Sequence, residues 1–154
     1  MAILSNELRI GNNFHYGTKD GKPVMWECDT ISRNSVVATS ETGEIRAITS
    51  EQIQPIPLTP DILEKCPDIK YSKVEGVTSF EEPHNPDEDT HWWSFNVKAT
   101  DVLDSHEICL VMWGKQDYFT FQLGRGTYRQ KIKYVHTFQN LIHSLTGTEL
   151  EITF

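Results

Sequence analysis

Turn-forming stretches interrupt residues 1–58 at short, even intervals, and no other feature limits what this chain can fold into as much. "TKDGKP" carries Asp20-Gly21, "SRN" ends at Asn34, and "ETGE" runs from Glu41 to Glu44. Between them apolar and polar residues alternate, in "ELRIGNNFHY", "VMWECDTI", "SVVATS" and "IRAITS", with "EQIQPIPL" closing the run. Alternation sends successive side chains to opposite faces, the pattern of a strand with one face covered. In "VMWECDTI" it sets Val24, Trp26, Cys28 and Thr30 on one face. Short strands at this spacing predict a small antiparallel barrel or curled sheet over residues 1–58. An SH3-like barrel is the preferred form, because Gly-Asn after the first apolar pair often opens such barrels.

"LTPDILEKCPD" then reads as a short helix. Thr59 caps it, Pro60 takes the first helical position, Asp61 complements the helix dipole and Pro67 stops it. "PIPLTP", residues 55–60, marks a boundary, so residues 59–154 form a second, α+β subdomain. Strands return in "IKYSKVEGVTSF", "HWWSFNVKA", "HEICLVMW", "DYFTFQLG" and "RQKIKYV". The near-continuous apolar run "EICLVMW" predicts a central strand covered on both faces. "YFTFQL" sets Phe119, Phe121 and Leu123 against Tyr118, Thr120 and Gln122, and "KQD" suits the hairpin turn before it. In "YVHTFQNLIHSLTG", residues Val135, Phe138, Leu141, Ile142 and Leu145 make one apolar stripe, and Gly147 ends the helix. "ELEITF" alternates again, with Leu150, Ile152 and Phe154 on one side. The expected architecture is α+β: a small SH3-like barrel or curled sheet, then an antiparallel sheet packed with one long C-terminal helix.

The formal charge of −8 argues against duplex nucleic acid or an anionic membrane as the main partner. No apolar run is long enough to span a bilayer, and "MAILSNELRIG" lacks the basic start and apolar core of a signal peptide. Cys28, Cys66 and Cys109 are isolated and odd in number. Neither a disulfide framework nor a CxxC knuckle is expected, and a reducing cytoplasm fits best. No nucleophile elbow appears, and Cys109 lies in an apolar strand where a thiol is packing. A paired-carboxylate hydrolase leaves no spacing signature and stays open.

Three stretches are candidates for a site. On a helix, His136 and His143 stand about 10 Å apart along the axis, too far to share one metal ion. With Gln139 and Asn140 between them, the face is either a solvated side or a packing surface, or else a polar ledge that contacts a ligand. The second stretch is basic. From Gly114 to His136, Lys115, Arg125, Arg129, Lys131 and Lys133 face a single acid, Asp117. That is a net +4 in a chain of −8, which leaves −12 for the rest. Gly124 and Gly126 flank Arg125 and let backbone N–H groups approach an anion, while Tyr128 and Tyr134 offer rings for stacking. On one strand, Arg129, Lys131 and Lys133 share a face. The plainer reading is an edge strand whose lysines discourage aggregation. The third stretch, "SFEEPHNPDEDTHWW", holds His84, Asp87, Asp89 and His91, but its prolines and acids read as a solvated loop, and no metal is expected. Of Trp92 and Trp93, one enters the core and the other faces outward as a binding anchor.

"EQIQPIPLTPDILEKC", "IKYVHTFQNLIHSLTGTELEITF" and "LRIGNNF" resemble a family of small uncharacterised proteins of Bacteroidetes-type bacteria and their phages and prophages. The likeness covers roughly the first 65 and last 25 residues. In most relatives a glutamine-leucine pair closely follows the helix histidine, whereas here Thr137 and Phe138 precede Gln139. No reaction is established for the family, so no catalytic role carries over. The resemblance implies an accessory gene, often mobile.

These readings converge on a non-enzymatic phage or mobile-element accessory protein that sequesters a small anionic ligand, such as a signalling or cyclic nucleotide, to counter host defence. Arg125, Arg129, Lys131 and Lys133 would neutralise phosphates. Tyr128, Trp92 or Trp93 would stack a base, and His136 with Asn140 would supply polar contacts. No cofactor is expected, and a homodimer suits such a role because a symmetric interface can build a pocket. The alternative is a protein–protein adaptor on a host protein, or a virion or assembly component. A small hydrolase comes third.

Overall fold

Each turn stretch in the first 58 residues reverses the chain between two strands. In the computed structural model, which describes residues 7–66, 69–74, 90–96, 107–113, 117–123, 126–147, 149, 150, 152 and 154, the strands β1 (Asn13–Lys19), β2 (Lys22–Ile31), β3 (Ser35–Ser40) and β4 (Ile45–Thr49) form an antiparallel sheet in chain order. Asp20 and Gly21 join Lys19 to Lys22 with φ of 53° and 76°. Two left-handed residues are what a two-residue hairpin loop needs for its twist to match the strands.

Register shifts between His15 and Thr18 and between Cys28 and Thr30 curl this sheet. The second shift also corrects the expected face. Trp26 and Cys28 are buried and Val24 packs against them, but the extra residue turns Thr30 outward. Phe14, Trp26, Cys28, Val36, Ala38, Ile48 and Ile53 make the core of the sheet. The Trp26 indole N–H donates to the Tyr16 carbonyl at 3.0 Å, so its one polar atom is satisfied inside. After β4, a 3₁₀ turn over Ser50–Gln52 leads to Gln54, which exchanges two 2.9 Å backbone hydrogen bonds with His15 and brings the chain back to β1.

The second sheet is a five-stranded antiparallel meander: β5 (Ile69–Val74), β6 (Thr90–Asn96), β7 (Glu107–Trp113), β8 (Phe119–Leu123) and β9 (Gly126–Ile132). "EICLVMW" is its central strand, and the adjacent Leu110 and Val111 are both fully buried, so both faces are covered there. Trp93, Phe119, Phe121 and Ile132 join them inside. The helix α1 (Pro60–Glu64) has the cap its sequence specifies, with the Thr59 hydroxyl accepting from the Ile62 amide at 3.4 Å and Pro60 in the first turn. Its other end carries Cys66, buried, whose thiol lies 3.4 Å from the Ile62 carbonyl.

The long helix α2 (Val135–Thr146) belongs to the first sheet's unit and not to the second's. One unit comprises Met1–Pro57 with Tyr134–Leu150, and the other Leu58–Lys133 with Glu151–Phe154. The first unit breaks off at Pro57, within "PIPLTP", and takes in α2, which hydrogen-bonds Glu7 and Gly11 ahead of β1. Of "ELEITF", the described residues Glu149, Leu150, Ile152 and Phe154 are assigned to no strand. α2 buries Val135, Phe138 and Ile142 of its stripe, and with them His136 and Gln139. Gly147 closes it at φ 70°, its amide donating to the His143 carbonyl at 2.7 Å. Open space surrounds Gly147, so replacing it with alanine introduces backbone strain without a clash. Chemical denaturation of Gly147→Ala should show a loss of about 1 kcal/mol.

Candidate functional site

The expected site residues divide between the two units. Lys131, Lys133, Trp92, Trp93, Tyr128 and Arg129 belong to the second unit, while His136 and Asn140 belong to the first. Arg125, and His84, Asp87 and Asp89 of the acidic stretch, lie outside the described residues.

In the second unit the ladder pairs Thr120 with Lys131, which sets Lys131 on the polar side of β8. Its ammonium sits over the Tyr118 ring, 4.2 Å from the centroid, and the Lys133 ammonium lies 5.9 Å from the same ring. An ammonium over an aromatic face is held by the ring's quadrupole, worth about 0.5–1 kcal/mol at an exposed position. Lys133 also bonds the Asp117 carboxylate at 2.8 Å. Lysine and aspartate lean on one another in solvent, and Lys133 holds the Asp117 carboxyl below the usual carboxylate range, with Lys131 adding to the effect. Two positive charges therefore gather around one ring on an edge strand, β9 being last in its sheet.

Tyr118 and Asp117 were not among the residues expected at a site. Alternation already put Tyr118 on the polar side of β8, but only the cross-strand register sets it beside the lysines. Tyr128 is placed opposite Phe121, and a register shift between Thr120 and Phe121 inserts Arg129 and Gln130. Of the tryptophan pair, Trp93 is the one that enters the core, 1% exposed and edge-on to Phe119 at 5.3 Å, which removes it from a stacking role. Trp92 stands opposite Val111 in the ladder.

In the first unit, the polar side of α2 is not a wet face. Gln139 is 2% exposed. Its carbonyl oxygen accepts from the Asn13 amide at 3.0 Å, and its amide nitrogen donates to the Asn13 side-chain oxygen at 2.9 Å and to the Gly11 carbonyl at 3.3 Å. At the next residue, the Asn140 amide donates to the Glu7 carbonyl at 2.9 Å. Near the end of the helix, Glu149 pairs with Arg9 and lies 3.7 Å from His143. His136 is buried, its ring stacked on Tyr134 at 5.8 Å and its Nδ1 without a hydrogen-bond partner. Burial lowers its pKa, against a smaller upward pull from Glu7. Here the Asn140 amide ties Glu7 to the helix.

The Cys28 thiol is pushed up to about 11, by burial first and by the charge of Asp29 second, so it stays protonated and unreactive. Among the described residues no group of three or more histidine, cysteine, aspartate or glutamate side chains could hold a metal ion, and no helix is long and apolar enough to cross a membrane. No family model matches this chain, and no curated protein or solved structure shows significant similarity to it.

Replacing Gln139 with leucine leaves the Asn13 amide and side chain buried without partners. Urea denaturation of Gln139→Leu should show a loss of about 3 kcal/mol, well above that of a typical surface change. The histidines set a second expectation. His136 and His15 both have pKa values lowered by burial from 6.5. Below pH 6.5 the unfolded chain therefore binds protons that the folded chain does not, and stability falls as the pH drops from 6.5 toward the lower folded values. Melting temperature followed from pH 7.5 to 5 should decline through this window, and His136→Asn should flatten the decline.

Proposed function

We propose that this chain is a non-enzymatic accessory protein that captures a small anionic ligand, such as a signalling nucleotide, at the lysine cluster of its second sheet. The observation that carries this reading is the convergence of the Lys131 and Lys133 ammoniums on the Tyr118 ring, at 4.2 and 5.9 Å. Two ammoniums held near each other before a ligand arrives lose less side-chain freedom on binding than two loose ones. In a chain of net −8, such a local cation pair is a place where an anion gains rather than loses electrostatic energy. The resemblance to phage and prophage proteins supports an accessory role, and within it the countering of a host defence that signals through nucleotides.

The first sheet is read in the same spirit as an SH3-like barrel. Its four-strand meander, the 3₁₀ turn at Ser50–Gln52 and the return of Gln54 to His15 support that reading. The rival function is an adaptor that docks an acidic host protein. Its support is the position of β9 at the sheet edge, where a partner strand can pair with backbone groups.

A thermal-shift titration of the full chain against cyclic and linear nucleotides and pyrophosphate tests the proposal. A ligand at 100 times its Kd should add about 2.7 kcal/mol of stability. The shift should disappear in a Lys131→Glu, Lys133→Glu double variant that keeps its circular dichroism spectrum. An undiminished shift in that variant would move the ligand elsewhere, and no shift with any anion would favour the adaptor.

A further inference from the structure

We infer that Asp117 is an internal stand-in for the ligand: its carboxylate occupies the Lys133 position that a phosphate group takes, and binding displaces it. This inference rests on the binding role proposed above and adds to it the mode of entry and the charge the ligand must carry. The Asp117 Oδ2 atom lies 2.8 Å from the Lys133 ammonium, a short, charge-assisted contact. Yet its side chain is 79% exposed and that of Lys133 is 40% exposed. Ion pairs so open to water contribute little to stability, which makes this one easy to exchange.

The arrangement also selects for charge. Asp117 hydrogen-bonds Lys133, while the Lys131 ammonium lies over the ring of the next residue, Tyr118. A monoanion such as a free carboxylate would replace Asp117 like for like and gain nothing. A group with two negative charges and several oxygens can take Lys133 from Asp117 and engage Lys131 as well, the two ammoniums lying 5.9 and 4.2 Å from the Tyr118 ring centre. The site therefore suits a phosphate monoester or a pyrophosphate, and discriminates against carboxylates. Tyr118 acts as a positioning residue, because it holds the second ammonium beside the first.

Isothermal titration of the full chain with pyrophosphate, with acetate as the monoanion control, tests this. Asp117→Asn keeps the shape of the side chain and removes its charge, so pyrophosphate should bind about threefold more tightly than to the wild type. Lys133→Gln should weaken binding and abolish the gain when combined with Asp117→Asn. Acetate should bind neither protein measurably. If wild type and Asp117→Asn bind pyrophosphate equally, Asp117 is no competitor and the inference fails while the binding role stands. If neither binds pyrophosphate nor any nucleotide, the binding role fails and the inference with it. Tight acetate binding would overturn the charge selection alone.

Discussion

One buried side-chain amide fixes the arrangement of the first unit. Apolar burial is non-directional, so the stripe Val135, Phe138 and Ile142 alone would let α2 slide or rotate on its sheet. Gln139 removes that freedom because its three hydrogen bonds, to both the backbone and side chain of Asn13 and to the Gly11 carbonyl, hold in only one position. The next residue, Asn140, then donates to the Glu7 carbonyl, and Arg9 of the same segment pairs with Glu149 just past the helix end.

In the second unit, pairing register plays the corresponding part. Phe119 and Ile132 are opposite one another and buried, so their neighbours Tyr118 and Lys131 are turned to the other side. The apolar face thus dictates where the charges stand: the same alternation that builds the core gathers Lys131 and Lys133 at Tyr118. The covered side of the sheet and its charged rim are two consequences of one ladder.

Most of the local structure could be read from the residues. Turn chemistry at Asp20-Gly21, the cap at Thr59, the apolar run of β7 and the stop at Gly147 each act through neighbours in sequence, and each appears where expected. What escaped the sequence depends on distant pairing. A stripe on α2 shows that the helix packs, but not which sheet receives it. The sequence left open whether Gln139 faces solvent, packing or a ligand, because a buried amide is recognisable only from the partners that satisfy it, and Asn13 lies 126 residues away. The register shift that turns Thr30 outward leaves no mark that distinguishes it from regular strand. Tyr118 was missed for the same reason, since its importance comes from the strand beside it.

The first unit is discontinuous: residues 58–133 come between its sheet and its helix. During synthesis at roughly 5–20 residues per second, the ribosome takes about 4–15 s to make that intervening stretch. For that time β1–β4 stand without Gln139, with the Asn13 amide open to water and the sheet's edge next to Leu8 not yet covered by α2. The second sheet, whose strands all follow one another in the chain, needs no such wait and can fold first. The helix that completes the first unit therefore emerges only after the second sheet's strands, so termination near residue 133 would leave those strands made and the first unit unfinished.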